Sequence, residues 1–102
     1  MKNTTMTLQR KGTTLRTGIA IYIENMAFQQ AAELGGQSPY DSFWAITTGG
    51  GILNVLRGDL LIDENEVDGL TNAKTHYRVF GNPEVADQIS DVEIPIEKLT
   101  GN

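Results

Sequence analysis

The sequence predicts an all-β fold, a small β-barrel or sandwich of about six strands carrying one short helical insertion. Three observations predict it. Apolar residues recur at every second position in several separate stretches, the period of a half-buried strand. Glycine, proline and asparagine break the chain between those stretches at short intervals. Only one stretch, between the second and third strands, is built from helix formers instead. A chain of 102 residues fits one domain, 1–102, whose modest core leaves little room for an elaborate enzyme.

Thr4 to Arg10 places Met6 and Leu8 on one side and Thr5, Thr7 and Gln9 on the other, and Gly12 ends it. Ile19, Ile21 and Ile23 alternate with Ala20, Tyr22 and Glu24, and their β-branching favours a second strand. Asn25 offers an N-cap for a helix running from Met26 to Leu34, with Gly35 suited to the left-handed position that ends it. The turn-prone Gly36-Gln37-Ser38-Pro39 extends this helix into one long excursion. Ser42 to Thr48, with Phe43, Trp44 and Ile46, reads as the third strand and stops at the triple glycine Gly49 to Gly51.

Leu60 to Asp63 is a short fourth strand, Thr75 to Phe80 a fifth and Asp91 to Ile96 a sixth. In the last, Val92, Ile94 and Ile96 share a face opposite Glu93, Pro95 and Glu97. A proline has no amide to give a ladder, so this strand is expected at an edge, or with its amide side free at Pro95. Together with Glu93 and Glu97 it reads as a guarded edge or one reserved for another subunit. Val92, Glu93, Ile94, Ile96 and Glu97 are therefore the candidate subunit-interface residues.

Net charge is −5, which argues against nucleic-acid recognition, because phosphate neutralisation needs clustered Lys and Arg. The charge is unevenly placed. Residues 1–57 carry five basic against three acidic side chains, and residues 58–102 carry three against ten. Such a dipole could join copies of the chain head to tail, or serve as an ordinary solvated surface. The absence of cysteine removes disulfides, thiolate zinc sites and cysteine nucleophiles. No apolar run approaches the roughly 18 residues of a membrane span, and Met1 to Gly12 lacks a secretory apolar core, so a cytosol-like compartment is expected.

Chemistry-bearing motifs are few. The acidic run Asp63 to Gly69 fails the calcium-loop pattern in both registers, with Thr75 or Lys74 where a bidentate Glu is required, and reads as a solvated loop turning at Asp68-Gly69. His76, the one histidine, has no nucleophile motif beside it and falls next to Arg78 on the solvent face of its strand. Gly49 to Gly51 lacks the Lys-Ser/Thr continuation of a phosphate loop. Tyr40, Phe43 and Trp44 could stack a ring-shaped ligand, but without basic neighbours they read as core. No residue is assigned to catalysis, to a cofactor or to a metal.

The second half has a more specific character. Leu56-Arg57-Gly58-Asp59-Leu60-Leu61-Ile62, then His76-Tyr77-Arg78-Val79-Phe80-Gly81-Asn82-Pro83, then Val92-Glu93-Ile94 resembles the head-closure proteins of tailed bacteriophages, also called stopper or head-tail joining proteins. The Lys11-Gly12-Thr13 to Thr17-Gly18 stretch and the helical excursion after the second strand also suit that family. The acidic stretch Glu64 to Lys74 is longer than the family pattern.

The resemblance implies a virion protein at the head-tail interface, made in the bacterial host cytoplasm, without enzymatic activity or cofactor. It implies a ring of six or twelve copies, beneath the portal or adaptor ring and above the tail-terminator or tail proteins. Such a ring would retain packaged DNA, which passes through its channel without specific recognition, and would give the tail its platform. By position, Met26, Phe28, Gln29, Gln30, Glu33 and Tyr40 would belong to a loop facing the lumen or the next ring. An acidic lumen would let DNA slide without sticking. Arg10, Lys11 and Arg16 are candidates for meeting an acidic neck partner. The same architecture serves tail-terminator and adaptor proteins of the neck, and a small non-viral β-barrel binding module using Phe43 and Trp44 is a further alternative.

Overall fold

β1 (Lys2–Arg10) folds back into β2 (Thr13–Asn25) through Lys11 and Gly12, whose φ angles of 51° and 81° are the paired positive values that a tight two-residue hairpin turn requires. The computed structural model of the chain describes residues 2–35, 41–47, 54–67, 73–85 and 91–99. After this hairpin come α1 (Phe28–Glu33), β3 (Ser42–Thr47), β4 (Leu60–Val67), β5 (Lys74–Val79), the two-residue β6 (Glu84–Val85) and β7 (Val92–Lys98). All pairings are antiparallel, in the order β3-β2-β1-β4-β5-β7, and β7 pairs back onto β3. The result is a closed six-stranded β-barrel, with β6 added beside the start of β7.

Alternation along each strand fills the barrel. Met6, Leu8, Ile21, Leu61, Tyr77, Val79, Ile94 and Ile96 all point inward and are buried, with Phe43 meeting Tyr77 edge to face at 6.1 Å between ring centres. A smaller apolar cluster lies outside the wall. Met26, Ala31 and Phe80 pack there with Leu34 and Trp44, pinning α1 to the outer face. Phe43 and Trp44 therefore serve different cores, one on each side of β3. The trio expected from the sequence does not form one centre, and Tyr40 lies outside the described residues.

Several boundaries differ from the sequence expectation. β2 starts six residues before Ile19, because two bulges absorb a mismatch with β1. Leu8 pairs with Arg16 while Gln9 pairs with Thr14, leaving Leu15 as an extra residue. A second shift between Met6 and Leu8 coincides with Gly18 at φ 67°. Asn25 ends β2 and does not cap the helix. Ala27 occupies the N-cap without a side-chain bond, whereas Gly35, at φ 88°, takes the expected left-handed position.

The acidic run is not a solvated loop over Asp63 to Val67. These residues continue β4, and Asp63 points into the barrel with no exposed surface. Asp68, Gly69 and the triple glycine lie outside the described residues.

β7 is not an edge strand. β3 pairs with it along Val92 to Glu97, and its other side is taken by β5 and then by β6. Pro95 is tolerated because its amide side faces the gap where β5 has ended. Its carbonyl accepts the Phe80 N–H from that side at 3.1 Å, and a residue's N–H and C=O point the same way in a strand. Gly81 leaves the space that the proline ring fills. A Cβ there would stand 2.9 Å from Pro95 Cγ.

Candidate docking surface

Basic side chains of the first half meet acidic ones of the second inside the same molecule, because β1 lies beside β4. Lys2 pairs with Glu66 and stands 3.2 Å from Asp63 Oδ2, and Thr4 Oγ1 donates to Asp63 Oδ1 at 2.6 Å. Arg10 grips Asp59 through both Nε and Nη2 and also donates to the Asn54 carbonyl at 2.8 Å. Asp59 in turn accepts the Leu56 N–H at 2.9 Å, closing the turn in which Gly58 takes φ 94°. Arg10 is thus engaged within the chain and is not free for a neck partner. Of the five basic side chains in residues 1–57, Lys2 and Arg10 are spent on acidic partners of the second half among the described residues.

Glu64 ties three strands on the outer face. Its carboxylate accepts Thr5 and Thr7 hydroxyls of β1 at 3.1 and 2.7 Å and the Gly18 N–H of the β2 bulge at 2.8 Å. The Gly18 bond, then the Thr7 bond, holds its carboxyl below the usual carboxylate range. The Arg10 hydrogen bond does the same for Asp59. Burial, with the Asp63 charge second, pushes the Tyr77 hydroxyl up.

Of the five candidate interface residues, Ile94 and Ile96 are core, Val92 packs against the core, and Glu97 is buried in an ion pair with its β5 neighbour Arg78. The physical reason is barrel closure, which turns alternate residues of β7 inward and gives both its sides backbone partners. Only Glu93 is left outward without an ion pair among the described residues. In the excursion, Met26 is buried, Gln30 Oε1 accepts from Trp44 Nε1 at 3.3 Å, and Phe28, Gln29 and Glu33 are exposed. Lys11, at the hairpin turn, and Arg16, in the first part of β2, are exposed, without ion pairs among the described residues. His76 lies on the outer side of β5 as expected, with Nδ1 2.7 Å from the Lys74 carbonyl.

Register assembles a surface that no single segment announces. Asn3 is directly opposite Tyr22, Tyr22 opposite Ile46, Ile46 opposite Glu93, and Glu93 opposite Glu84. Directly opposed residues share a face, so these five form one outward row across β1, β2, β3, β7 and β6. The neighbouring row, Glu24, Trp44 and Pro95, lies on the α1 side of the wall, where Trp44 packs under the helix. The Tyr22 row is not covered among the described residues. Asn3, Thr4, Ala20, Ile21, Tyr22 and Ile46 line a shallow groove there, and Tyr22 keeps 36% of its surface exposed.

Sequence reasoning missed Tyr22, Ile46 and Glu84. The available signal was parity: Tyr22 and Ile46 are large apolar side chains at outward positions of two strands whose inward positions are already apolar.

Among the described residues no cluster of His, Asp and Glu could hold a metal ion, and no helix is long and apolar enough to cross a membrane. No family model, curated protein or solved structure matches this chain.

Proposed function

We propose that this chain is a structural, non-enzymatic subunit of a tailed-phage neck, a head-closure protein that forms a ring between the portal or adaptor and the tail. The observation that carries the reading is the uncovered row on the outer wall. Buried carboxylates at Asp59, Asp63 and Glu97 each meet a cation within the chain, yet Glu84 and Glu93 stand opposed, beside an apolar groove, with no cation among the described residues. A surface with that composition is built for a macromolecular neighbour.

The stretches that carry the resemblance also have definite work in the barrel, which supports the same reading. Gly58 and Asp59 set the turn that feeds β4, Tyr77 and Val79 fill the interior, and Gly81 admits Pro95. Mixing the purified chain with portal complexes and imaging by electron microscopy tests the proposal. A ring of density beneath the portal is expected. A chain that stays monomeric and leaves portal complexes bare would overturn it.

A further inference from the structure

We propose that the β1–β2 turn of one copy of this chain docks into the Tyr22–Ile46 groove of a second copy, placing Lys11 and Arg16 against Glu84 and Glu93. This names the contact of the ring proposed above and rests on that reading.

The acidic side sets the requirement. Glu84 and Glu93 are direct cross-strand partners, an arrangement of like charges that destabilises a sheet unless a cation intervenes. Lys2, Arg10 and Arg78 are already committed to Asp63, Glu66, Asp59 and Glu97. Lys11 and Arg16 have no ion pair among the described residues, but they cannot serve the glutamates of their own molecule. Arg16 to Tyr22 spans six strand residues, roughly 20 Å of β2 at about 3.3 Å per residue. Arg57, Lys74 and Lys98 form no ion pair with Glu84 or Glu93 among the described residues either, which leaves the pair open to a cation of another copy.

The turn also matches the groove in apolar character. Leu15, the residue extruded by the first bulge, is 47% exposed between Lys11 and Arg16, and the groove offers Ala20, Tyr22 and Ile46. Every copy carries one turn and one groove on different parts of its surface. The contact is therefore heterologous, so it repeats from copy to copy and closes as a ring when the rotation permits.

The chain has no cysteine, so introduced cysteines report the contact without background. A Leu15→Cys, Tyr22→Cys double variant under mild oxidation is expected to give a ladder of disulfide-linked multimers, with each single variant giving dimers at most. Adding Glu84→Lys and Glu93→Lys should abolish the ladder, and adding Lys11→Glu and Arg16→Glu to that chain should restore it. Circular dichroism checks that each variant keeps its barrel. No ladder, or a ladder indifferent to the charge reversals, overturns the contact. If rings still form on portal complexes in that case, the ring reading stands without it. A chain that never associates removes both.

Discussion

Arg10 holds Asp59 by two hydrogen bonds of 2.9 Å each, Nε to Oδ1 and Nη2 to Oδ2, across 49 residues of sequence. The pair joins the end of β1 to the turn before β4, and Asp59 is 2% exposed. Replacing Asp59 with Asn keeps the shape and removes the charge that makes the fork–fork bond strong. Asp59→Asn is expected to lower unfolding free energy by about 2–3 kcal/mol in urea titrations. Arg10→Lys should fail to preserve the pair, since an ammonium cannot make both bonds in plane. An unchanged urea midpoint in both variants would show the clamp to be dispensable.

Acid should weaken the barrel from a definite side. Glu64 and Asp59 are held below their ordinary values of 4.5 and 3.8 in the folded chain. The unfolded chain therefore takes up protons first as pH falls. The stabilisation is complete above those ordinary values and is lost as pH drops through them toward the folded ones. Urea midpoints measured over a range of acid pH should show this decline, and Glu64→Gln should flatten its upper part. A Glu64→Gln profile identical to the parent would contradict the role given to the Gly18 and Thr7 bonds.

Gly81→Ala tests the seat of Pro95. The new Cβ would meet the ring Cγ at 2.9 Å, and a proline ring on a strand paired to β3 has little freedom to move. A loss of about 1–3 kcal/mol is expected. Pro95→Ala in the same chain should recover most of it, so the double variant is more stable than Gly81→Ala alone. Strict additivity would mean that the two residues do not touch.

Phe80→Ala should release α1 while leaving the barrel closed. Phe80 is fully buried in the outer cluster, and its truncation is expected to cost about 3–5 kcal/mol. Trp44, the one tryptophan, reports directly, because its ring packs in that cluster and its Nε1 bonds Gln30. Its emission should shift to longer wavelength. An unshifted spectrum would show that α1 stays docked without Phe80.

Alternation alone placed the strands and gave the all-β class, since Met6, Ile21, Tyr77 and Ile94 each declare an inward face locally. What alternation lacks is the identity of the neighbour. Asp63 looks like the first residue of a solvated acidic loop, because Lys2 and Thr4, which make its burial tolerable, are about sixty residues away. Pro95 looks like an edge signal, because the ending of β5 at Val79 cannot be read from β7. The outward row was illegible for the same reason: Tyr22, Ile46 and Glu93 become adjacent only once two separate registers are set. Arg10, a candidate for an acidic neck partner by sequence, is taken by Asp59, whereas Lys11, one residue on, is exposed. The difference is a turn residue against the last residue of a strand facing Asp59.

The position of β1 between β2 and β4 also dictates when the molecule can fold. The β1–β2 hairpin is complete as soon as Asn25 has been made. The side-chain ties from β1 to its other neighbour reach 49 to 64 residues ahead, and the barrel closes only when β7 meets β3. A nascent chain must carry this hairpin without its other neighbour until β4 emerges, with Lys2 and Arg10 unanswered. Such non-local pairing belongs to the slow class of folding reactions. Closure is therefore a late, concerted event, and a chain arrested before β7 holds two open sheet edges instead of a barrel.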